Sequence, residues 1–390
     1  MPAKRFTPVR YQLKKEAAHA LATGHPWIYR SHLSTAALSF RQGQWLKLVD
    51  HANEILGYGI FEGQGMIGVR VLKRGKTPPD REWLAKQIER ARSRRKNLLL
   101  YTDAYRLLHG ENDGLPGIVL DVYGDIGVLQ TYSASVDSLG RYVGELAARE
   151  LGLKSLIWKA PAKRQGAQTA KTRPGARRLR GKLPGGVTIR EGKLKLSVNI
   201  GEGQKSGAFL DLRGLRKWIA SQKLNGARVL NLFCYTGTLG LAAEVAGASE
   251  IWNVDISQGA LDFAKKHHVL KPQRHRWIAA DVFKWVAALP AHEKFDLIIV
   301  DPPSMASLTS QVPVALRAYR QIYRALLPHL ASRGTMLACC CTSRIARRRF
   351  REAIDQNLGG RLKYQRTIEP EDDHPVGFPE GDYLKLLVYK

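Results

Sequence analysis

The chain has 390 residues, more than the roughly 150 of a typical domain, so we expect two or three domains. Its 62 Lys and Arg residues against 34 Asp and Glu give a formal net charge of +28, which attracts polyanions such as RNA, DNA or an anionic membrane. No run approaches the ~20 apolar residues of a membrane span, and the N-terminus lacks the apolar core of a secretory signal. We therefore expect a soluble, cytoplasmic protein.

Short strands are the first predicted elements. Residues 25–72 contain the runs "GQWLKLVD", "EILGYGIFEG" and "IGVRVLK", which are separated by pieces rich in Gly, His and Asn. This pattern is typical of a small β-barrel. A charged stretch with apolar residues at helical spacing follows from Asp80 to Leu100 and predicts a helix.

The middle of the chain combines hairpin and helix patterns with a basic segment. "YRLLHGENDGLPGIVLDVYGDIGVLQTY", a helical stretch around 136–151 and the strand-like "SLIWKA" predict a compact α+β unit. Residues 161–186 are rich in Lys, Arg, Gly, Pro and Gln and have almost no large apolar residue. Such a segment cannot order itself by burial, so we interpret it as a basic loop between strands. It is either a solvated linker or an arm that contacts RNA.

Strand and helix patterns alternate from Gly226 onward. Five apolar runs, "ARVLNLF", "EIWNVDI", "HRWIAAD", "FDLIIVD" and "GTMLACC", are each separated by a helical stretch. This alternation predicts an α/β domain with a doubly wound, mostly parallel sheet. Ligands of such sheets bind beyond the carboxyl ends of the strands, so the residues that follow each run are the informative ones.

The residues after the first three runs indicate a nucleoside site. A turn containing Tyr235 and Gly237 follows the first run, and the small Gly237 would let a ligand approach the backbone. Asp255 ends the second run, where an acid can accept both ribose hydroxyls. Asp281 ends the third run, where a carboxylate can accept from an adenine amino group. No phosphate-binding loop accompanies these acids, so the pattern favours S-adenosylmethionine over a dinucleotide.

The last two runs end in residues suited to methyl transfer. "DPPS" follows the fourth run, and its two prolines stiffen the backbone that presents Asp301 to a planar group. "ACCCTSR", residues 338–344, places three of the four cysteines in adjacent positions at the end of the fifth. Adjacent cysteines in a strand point to opposite faces and make a poor disulfide framework, so free thiols are expected. The alternative is that all three are small side chains that fill a buried strand.

An ordered set of motifs resembles one family. They are "GHPWIY", "GENDGLPGIVLDVYGD", "GQKSGAFLDLR", "NLFCYTGTLG", "DPPS", the Cys-containing strand and "HPVGFPEGDYLK", and they extend through nearly the whole chain. The chain is identified as similar to the bacterial ribosomal large-subunit RNA methyltransferase I family, which are S-adenosylmethionine-dependent 23S rRNA cytosine-5 methyltransferases. The resemblance implies a PUA-like RNA-binding domain, a central α+β domain and a Rossmann-like class I methyltransferase domain.

With this resemblance we place the three domains at residues 1–75, 76–200 and 201–390. The family carries its nucleophile at the position of Cys341, whereas Cys339 and Cys340 are expected to be packing residues. The predicted catalytic pair is therefore Cys341 and Asp301. The predicted cofactor-binding residues are Asn231, Phe233, Tyr235, Gly237, Asp255, Asp281 and Asp301.

The remaining expectations concern partners and alternatives. The expected partner is RNA, specifically 23S rRNA, with no membrane and with a homodimer as one possible assembly. Trp27, Tyr29 and Trp45 are candidates for base stacking, although we expect at least two of them in the barrel core. No metal is expected, because His267 and His268 are interpreted as a helix surface pair without a Cys-x-x-Cys partner. Two alternatives stay open: amino-group methylation by the "DPP" motif without a thiol, and a non-catalytic RNA-binding assembly factor.

Overall fold

The computed structural model describes residues 7–159, 177–182, 185–201, 203, 206–358 and 360–390. Contacts divide the chain into two compact units. The first consists of Met1–Ile189, Val198–Ala208 and Asp372–Phe378, and the second of Arg190–Ser197, Phe209–Glu371 and Pro379–Lys390. The predicted barrel and most of the predicted α+β domain fall together within the first unit.

The first unit begins with a five-stranded sheet of order β1-β3-β4-β5-β2. Ile28, Leu46 and Val69 are completely buried in its core, as the alternation of apolar residues predicts. Its elements are β1 (Val9–Gln12), α1 (Lys15–Ala22), β2 (Trp27–Tyr29), β3 (Trp45–Val49), β4 (Ile55–Phe61) and β5 (Ile67–Arg74).

A second five-stranded sheet, of order β10-β9-β8-β7-β6, completes this unit. Ile60 and Leu72 of the barrel strands belong to the same apolar cluster as Leu84, Leu120 and Val143, which explains why the barrel is not a separate unit. The elements are α2 (Arg81–Arg94), β6 (Ala104–His109), β7 (Ile118–Tyr123), β8 (Ile126–Thr131), α3 (Asp137–Glu150), β9 (Ser155–Trp158) and β10 (Arg177–Arg180).

The structure corrects part of the predicted basic loop 161–186. Residues 177–180 form strand β10, which pairs antiparallel with β9, so at this edge the backbone hydrogen bonds of β9 order residues that have few apolar side chains. Residues 161–176, 183 and 184 of the predicted loop lie outside the described residues. The choice between linker and RNA-contacting arm stays a prediction.

The expectation that at least two of three aromatic residues fill the barrel core is wrong. Trp27 and Tyr29 flank the buried Ile28 on β2 and are both partly exposed. Successive residues of a strand point to opposite faces, so burying Ile28 turns both aromatic neighbours outward. Trp45 packs partly buried against the cluster that contains Leu84, not against the barrel core.

The second unit is built on a seven-stranded sheet of order β15-β14-β13-β16-β17-β19-β18, and the short two-stranded sheet of β11 and β12 precedes it. Its elements are β11 (Val187–Glu191), β12 (Leu194–Val198), α4 (Arg213–Ala220), β13 (Arg228–Leu232), α5 (Thr238–Val245), β14 (Glu250–Asp255), α6 (Gln258–His267), β15 (His275–Ala279), α7 (Val282–Ala287), β16 (Phe295–Val300), α8 (Val312–Leu326), β17 (Leu330–Cys340), α9 (Arg347–Asp355), β18 (Tyr364–Thr367) and β19 (Lys385–Tyr389).

All five strands predicted in this part of the chain are present and parallel to one another. β13 lies between β14 and β16, with β15 and β17 outside them, and the antiparallel β19 pairs with β17. Parallel strands end at one edge of the sheet, so the residues after β13 to β17 share that edge. No helix in the described ranges is long and apolar enough to cross a membrane.

Candidate active site

The turn after β13 has an unusual backbone. Phe233 has φ of 57° and Tyr235 has φ of 48°, and both are non-glycine residues in the left-handed region. Gly237 follows with φ of 71°. Such conformations cost non-glycine residues free energy and are common at ligand-binding sites. The predicted cofactor residues Phe233, Tyr235 and Gly237 therefore lie together in one sharply bent segment.

Asp255, the last residue of β14, holds this turn in place. Its Oδ2 accepts a hydrogen bond from the backbone N–H of Tyr235 at 2.8 Å, and its Oδ1 accepts from the N–H of Ser257 at 2.9 Å. Each carboxylate oxygen has a further lone pair, so the partly exposed side chain can still accept from a hydroxyl group. The carboxylate thus connects the β13 turn to the start of α6.

Gly237 has a packing role that the sequence does not indicate. A Cβ atom at this position would lie 2.9 Å from Trp277 Cη2 and 3.2 Å from the Cβ of Ala264. The missing side chain therefore makes room for a tryptophan of β15, besides permitting the positive φ. That Gly237 also lets a ligand approach the backbone stays a prediction.

Asn231 lies inside the sheet. It is completely buried, and its Nδ2 donates to Asn253 Oδ1 on the neighbouring strand at 3.0 Å. A Cβ atom on Gly240 of α5 would come within 2.5 Å of the same Asn253 oxygen. The predicted cofactor residue Asn231 thus supports the strand pair beneath the turn.

His268 corrects the interpretation of His267 and His268 as a helix surface pair. His267 is exposed, but His268 is buried. Its Nε2 accepts from the N–H of Ser197 at 3.0 Å, and its Nδ1 lies 2.6 Å from the carbonyl oxygen of Thr236, to which it donates. These contacts fix the neutral tautomer, and burial lowers the pKa of His268 to about 4. His268 therefore supports the β13 turn from below.

Two apolar side chains at the strand ends were missed by the sequence reasoning. Ile256, directly after Asp255, is 74% exposed, and Phe283 in α7 is 38% exposed and 5.7 Å from the ring of Phe233. Asp281 Oδ1 caps α7 by accepting from the N–H of Lys284 at 3.1 Å. The signal available in the sequence was an apolar residue one or two positions after each strand-end acid: Ile256 after Asp255 and Phe283 after Asp281. Polar turn residues are the usual choice at such positions.

The ends of β16 and β17 bring the predicted catalytic residues to one place. Asp301 is the first residue after β16 and is partly exposed. Cys341 is the first residue after β17, and its Sγ lies 3.6 Å from the carbonyl oxygen of Pro302. Ser304 Oγ and Thr342 Oγ1 are 3.3 Å apart, so the "DPPS" segment and the cysteine segment are in contact at two points.

The four cysteines, all within the described ranges, differ in access. Cys234, Cys339 and Cys340 are buried, whereas Cys341 is partly exposed. Burial raises the pKa of Cys234, and the nearby Asp255 raises it further. Burial also raises the pKa of Cys339, with Asp301 adding to the effect. A thiol must be accessible and able to ionise in order to react, so Cys341 is the strongest candidate nucleophile of the four.

Comparison with known proteins shows the family of the chain. A family model described as S-adenosylmethionine-dependent methyltransferase matches residues 152–387, and a PUA-like domain model matches residues 12–74. Ribosomal RNA large subunit methyltransferase I of Shewanella amazonensis is 32% identical and covers 97% of this chain and 98% of its own. Ribosomal RNA large subunit methyltransferase of Deinococcus radiodurans is 31% identical and covers 99% of this chain and 98% of its own.

The chain belongs to the ribosomal RNA large subunit methyltransferase I family. The predicted family, PUA-like domain, fold class and S-adenosylmethionine cofactor are thereby confirmed. A solved structure of SMU.776, described as a methyltransferase and complexed with SAH, has a TM-score of 0.84 at 23% identity. It covers 98% of this chain and 100% of its own, which shows that the fold extends over the whole chain.

The strand-end residues of this methyltransferase suit the nucleoside part of S-adenosylmethionine. Asp255 offers a carboxylate for ribose hydroxyls, and the exposed Ile256 and Phe283 offer apolar surface to a purine. The carboxylate of Asp281 is exposed, and its Oδ2 forms no hydrogen bond within the described part of the chain. It can accept from an amino group, as predicted for an adenine.

Lys385, at the start of β19, is a further residue that sequence reasoning missed. It is completely buried opposite Cys340, and its Nζ donates to the carbonyl oxygens of Thr342 at 2.9 Å and Tyr383 at 3.2 Å. Burial lowers the pKa of Lys385, negative charge on Cys340, Asp382 and Cys341 opposes that effect, and Arg347 adds to it. The amine of Lys385 is thus close enough to the cysteine segment for its charge to act on a thiolate there.

Four arginines also follow Cys341 closely in the sequence, at positions 344, 347, 348 and 349. Arg347 donates to Asp382 at 2.9 Å and forms an ion pair with Glu369 at 3.3 Å. Arg348 is exposed and pairs with Glu352 one turn along α9. Arg344 and Arg349 are exposed. The charge of Arg347 is thus largely balanced by two carboxylates.

Proposed function

We propose that the protein methylates carbon 5 of a cytosine in large-subunit ribosomal RNA through a covalent adduct with Cys341. The observation that carries the proposal is the position of Cys341 at the end of β17, partly exposed and in contact with the "DPPS" segment, while the other three thiols are buried. The named relatives, which are ribosomal RNA large subunit methyltransferases, support RNA as the substrate. We place the reaction in the cytoplasm, on 23S rRNA.

The thiol is needed because carbon 5 of cytosine is a poor nucleophile. The thiolate of Cys341 adds to carbon 6, forming an S–C bond and moving the electron pair of the 5,6 double bond towards carbon 5. Carbon 5 uses this pair to take up the methyl group, and S-adenosylmethionine supplies that group when it is bound. A base then removes the proton from carbon 5. The electron pair of that C–H bond reforms the double bond and expels the thiolate from carbon 6.

Asp301 and Lys385 assist this sequence in different ways. Asp301 accepts a hydrogen bond from the polar edge of cytosine and orients the ring for attack. Lys385 stabilises the thiolate before attack and again after it is expelled. Prolines 302 and 303 keep the Asp301 backbone extended, so the carboxylate is presented with little loss of conformational freedom.

The target cytosine must leave its stack of neighbouring nucleobases to reach Cys341. A cytosine within folded rRNA is therefore unstacked or flipped before it reacts, at a cost that contacts to the surrounding RNA must offset. The formal net charge of +28 supplies those contacts through RNA phosphates and predicts affinity that falls steeply with salt.

The decisive experiment traps the adduct. RNA that carries 5-fluorocytosine at the target cannot lose the group on carbon 5, so the wild-type enzyme should remain bound through a thioether. Peptide mapping should place that link on Cys341. Cys341→Ala should form no adduct and should transfer no methyl group, since the ring then lacks its activating bond.

Matched controls lie next to the nucleophile. Cys339→Ala and Cys340→Ala remove buried thiols from the same strand and should keep the adduct, losing only packing. Methyl transfer by a folded Cys341→Ala enzyme would favour amino-group methylation by the "DPPS" segment. A link mapped to Cys339, Cys340 or Cys234 would contradict the proposed nucleophile.

A further inference from the structure

The first unit carries an exposed aromatic surface that the methyl-transfer reaction does not use. Trp27 and Tyr29 face outward from β2, which is an edge strand paired only with β5 in the sheet. The buried Ile28 between them anchors the strand in the barrel core. The two aromatic rings lie 6.4 Å apart between centroids.

Two further rings extend this surface. Phe378, distant in sequence, lies 5.1 Å from the Trp27 ring and 6.2 Å from the His25 ring. His25 lies 5.6 Å from Tyr29. All four side chains are partly exposed. We call His25, Trp27, Tyr29 and Phe378 the aromatic platform. It joins the "GHPWIY" and "HPVGFPEG" motifs, which the active site leaves unexplained.

Polar contacts hold the platform in position. Trp27 Nε1 donates to Glu111 Oε1 at 2.7 Å, and the same oxygen accepts from Arg70 Nη1 at 2.8 Å. On the other side, the N–H of Gly377 donates to Asn112 Oδ1 at 2.7 Å, directly before Phe378. Rings fixed in this way lose little conformational freedom when a flat ligand packs on them.

Positive charge borders the platform. Arg74 donates to the carbonyl oxygens of Leu21 at 3.0 Å and His25 at 3.0 Å. Arg30, next to Tyr29, donates to the carbonyl oxygens of Gly65 and Glu62. Within the described ranges neither guanidinium forms an ion pair, so both retain charge that can act on a phosphate.

We propose that the aromatic platform stacks an unpaired nucleobase of a single-stranded RNA segment, with Arg30 and Arg74 binding the adjoining phosphates. Flat, partly exposed rings flanked by guanidinium groups are the combination that single-stranded nucleic acid requires. A duplex buries its base faces and cannot stack in this way. The choice of RNA as ligand rests on the proposed function, whereas the stacking site rests on the platform itself.

The test compares single-stranded with duplex RNA on the full-length protein. In Tyr29→Leu/Phe378→Leu, which keeps apolar side chains but removes two rings, affinity for a labelled single-stranded RNA should fall about tenfold or more. The slope of affinity against salt should stay as in the wild type, because no phosphate contact is lost. Duplex affinity should not change. Arg74→Gln should instead flatten the salt slope.

A control and a second readout guard against misfolding. Tyr132→Leu removes an aromatic residue of the same unit that is 48% exposed, and it should bind RNA as the wild type does. Trp27→Phe keeps a ring, and it should reduce the fluorescence quenching that single-stranded RNA causes in the wild type. Unchanged quenching in Trp27→Phe would overturn the proposal.

The remaining outcomes separate this proposal from the proposed function. A folded double variant with wild-type affinity for single-stranded RNA, or with equal losses for single strand and duplex, overturns the platform even if the wild type forms the 5-fluorocytosine adduct. Platform-dependent RNA binding by an enzyme that forms no adduct upholds the platform and overturns only the cytosine chemistry. Capture of a protein partner by the platform, with RNA affinity unchanged in the double variant, also overturns it.

Discussion

The two strand ends to which we assign cofactor binding and catalysis are built by different means. After β13, backbone conformation makes the site: Phe233 and Tyr235 adopt positive φ, and Asp255 fixes the turn through backbone N–H groups. After β17, side-chain identity makes the site: Cys341 has a partly exposed thiol, and the buried amine of Lys385 donates to the carbonyl oxygen of the next residue, Thr342. The cofactor end is therefore sensitive to volume and backbone freedom, and the catalytic end to charge and reactivity.

The largest expected effect tests the cofactor end through Gly237→Ala. The new methyl group meets Trp277 at 2.9 Å and forces a side chain into positive φ. We expect a loss of about 2–4 kcal/mol in the free energy of unfolding, from overpacking and backbone strain together. Urea denaturation followed by circular dichroism measures this loss, and calorimetry should show weaker S-adenosylmethionine binding.

Gly226→Ala is the matched control. Gly226 has φ of 77°, but a Cβ atom there would have no neighbour within 4 Å. It should cost about 1 kcal/mol, from backbone strain alone. Equal losses in the two variants would mean that Trp277 yields and that close packing does not define the turn.

Acid should lower the free energy of unfolding through His268, which supports the β13 turn. Its pKa is about 4 in the folded protein against an ordinary value of 6.5, so below pH 6.5 the unfolded chain takes up a proton that the folded chain refuses. The stability it contributes is complete above pH 6.5 and is lost as pH falls towards 4. We expect wild type to lose about 2 kcal/mol more than His268→Gln between pH 7.5 and 5.

The neighbouring histidine provides the control for this prediction. His267→Gln alters an exposed residue and should leave the pH dependence of urea unfolding unchanged. Burial also lowers the pKa values of His109 and His275, so wild type should show some acid loss even without His268. A His268→Gln enzyme with the full wild-type acid loss would contradict the assignment.

The sequence predicts the features that depend on neighbouring residues, and it does not predict those that depend on contacts between distant residues. The five parallel strands and the positions of Asp301 and Cys341 are readable because apolar runs and the residues after them are local features. The packing of Gly237 against Trp277 is not readable from the sequence, because the two residues lie 40 positions apart (277 − 237). His268 was misread for the same reason: its partner Ser197 lies on another element, 71 positions away.

Contacts between distant segments also hid Lys385. Its lysine stands in an apolar strand, "KLLVY", where an exposed first residue is the usual expectation. Only the pairing of β17 with β19 places it opposite Cys340 and below Thr342. The signal available in the sequence was a charged residue at the start of an otherwise apolar strand.

A smaller effect on the cofactor end is expected from Asp255→Ala. The variant removes the acceptor for Tyr235 N–H and the carboxylate that we predict to bind the ribose, so S-adenosylmethionine affinity should fall by about 1–3 kcal/mol. Calorimetry on the folded variant gives the change. Asp262→Ala, an exposed acid on α6, should bind as the wild type does, and unchanged affinity in Asp255→Ala would remove Asp255 from the site.

The smallest effect expected concerns the catalytic end, in Lys385→Met. Methionine keeps the length of the side chain and removes its charge, so cofactor affinity should be unaffected. Adduct formation with 5-fluorocytosine RNA at neutral pH should slow by about tenfold, the change that one pKa unit produces. If Lys385 acts by favouring the thiolate of Cys341, the rate in the variant should recover at higher pH. The pH profile of adduct formation should then be shifted to higher pH relative to wild type.

The pH profile distinguishes this role from a purely structural one. Replacing a buried, desolvated amine by an apolar side chain of similar volume often leaves stability unchanged or raises it, so the slower adduct formation should occur without loss of stability. Lys266→Met, on the exposed face of α6, should leave the rate and the profile unchanged. A uniform loss of rate at every pH would show that Lys385 only holds the Thr342 carbonyl, and the thiolate of Cys341 would then need another source of stabilisation.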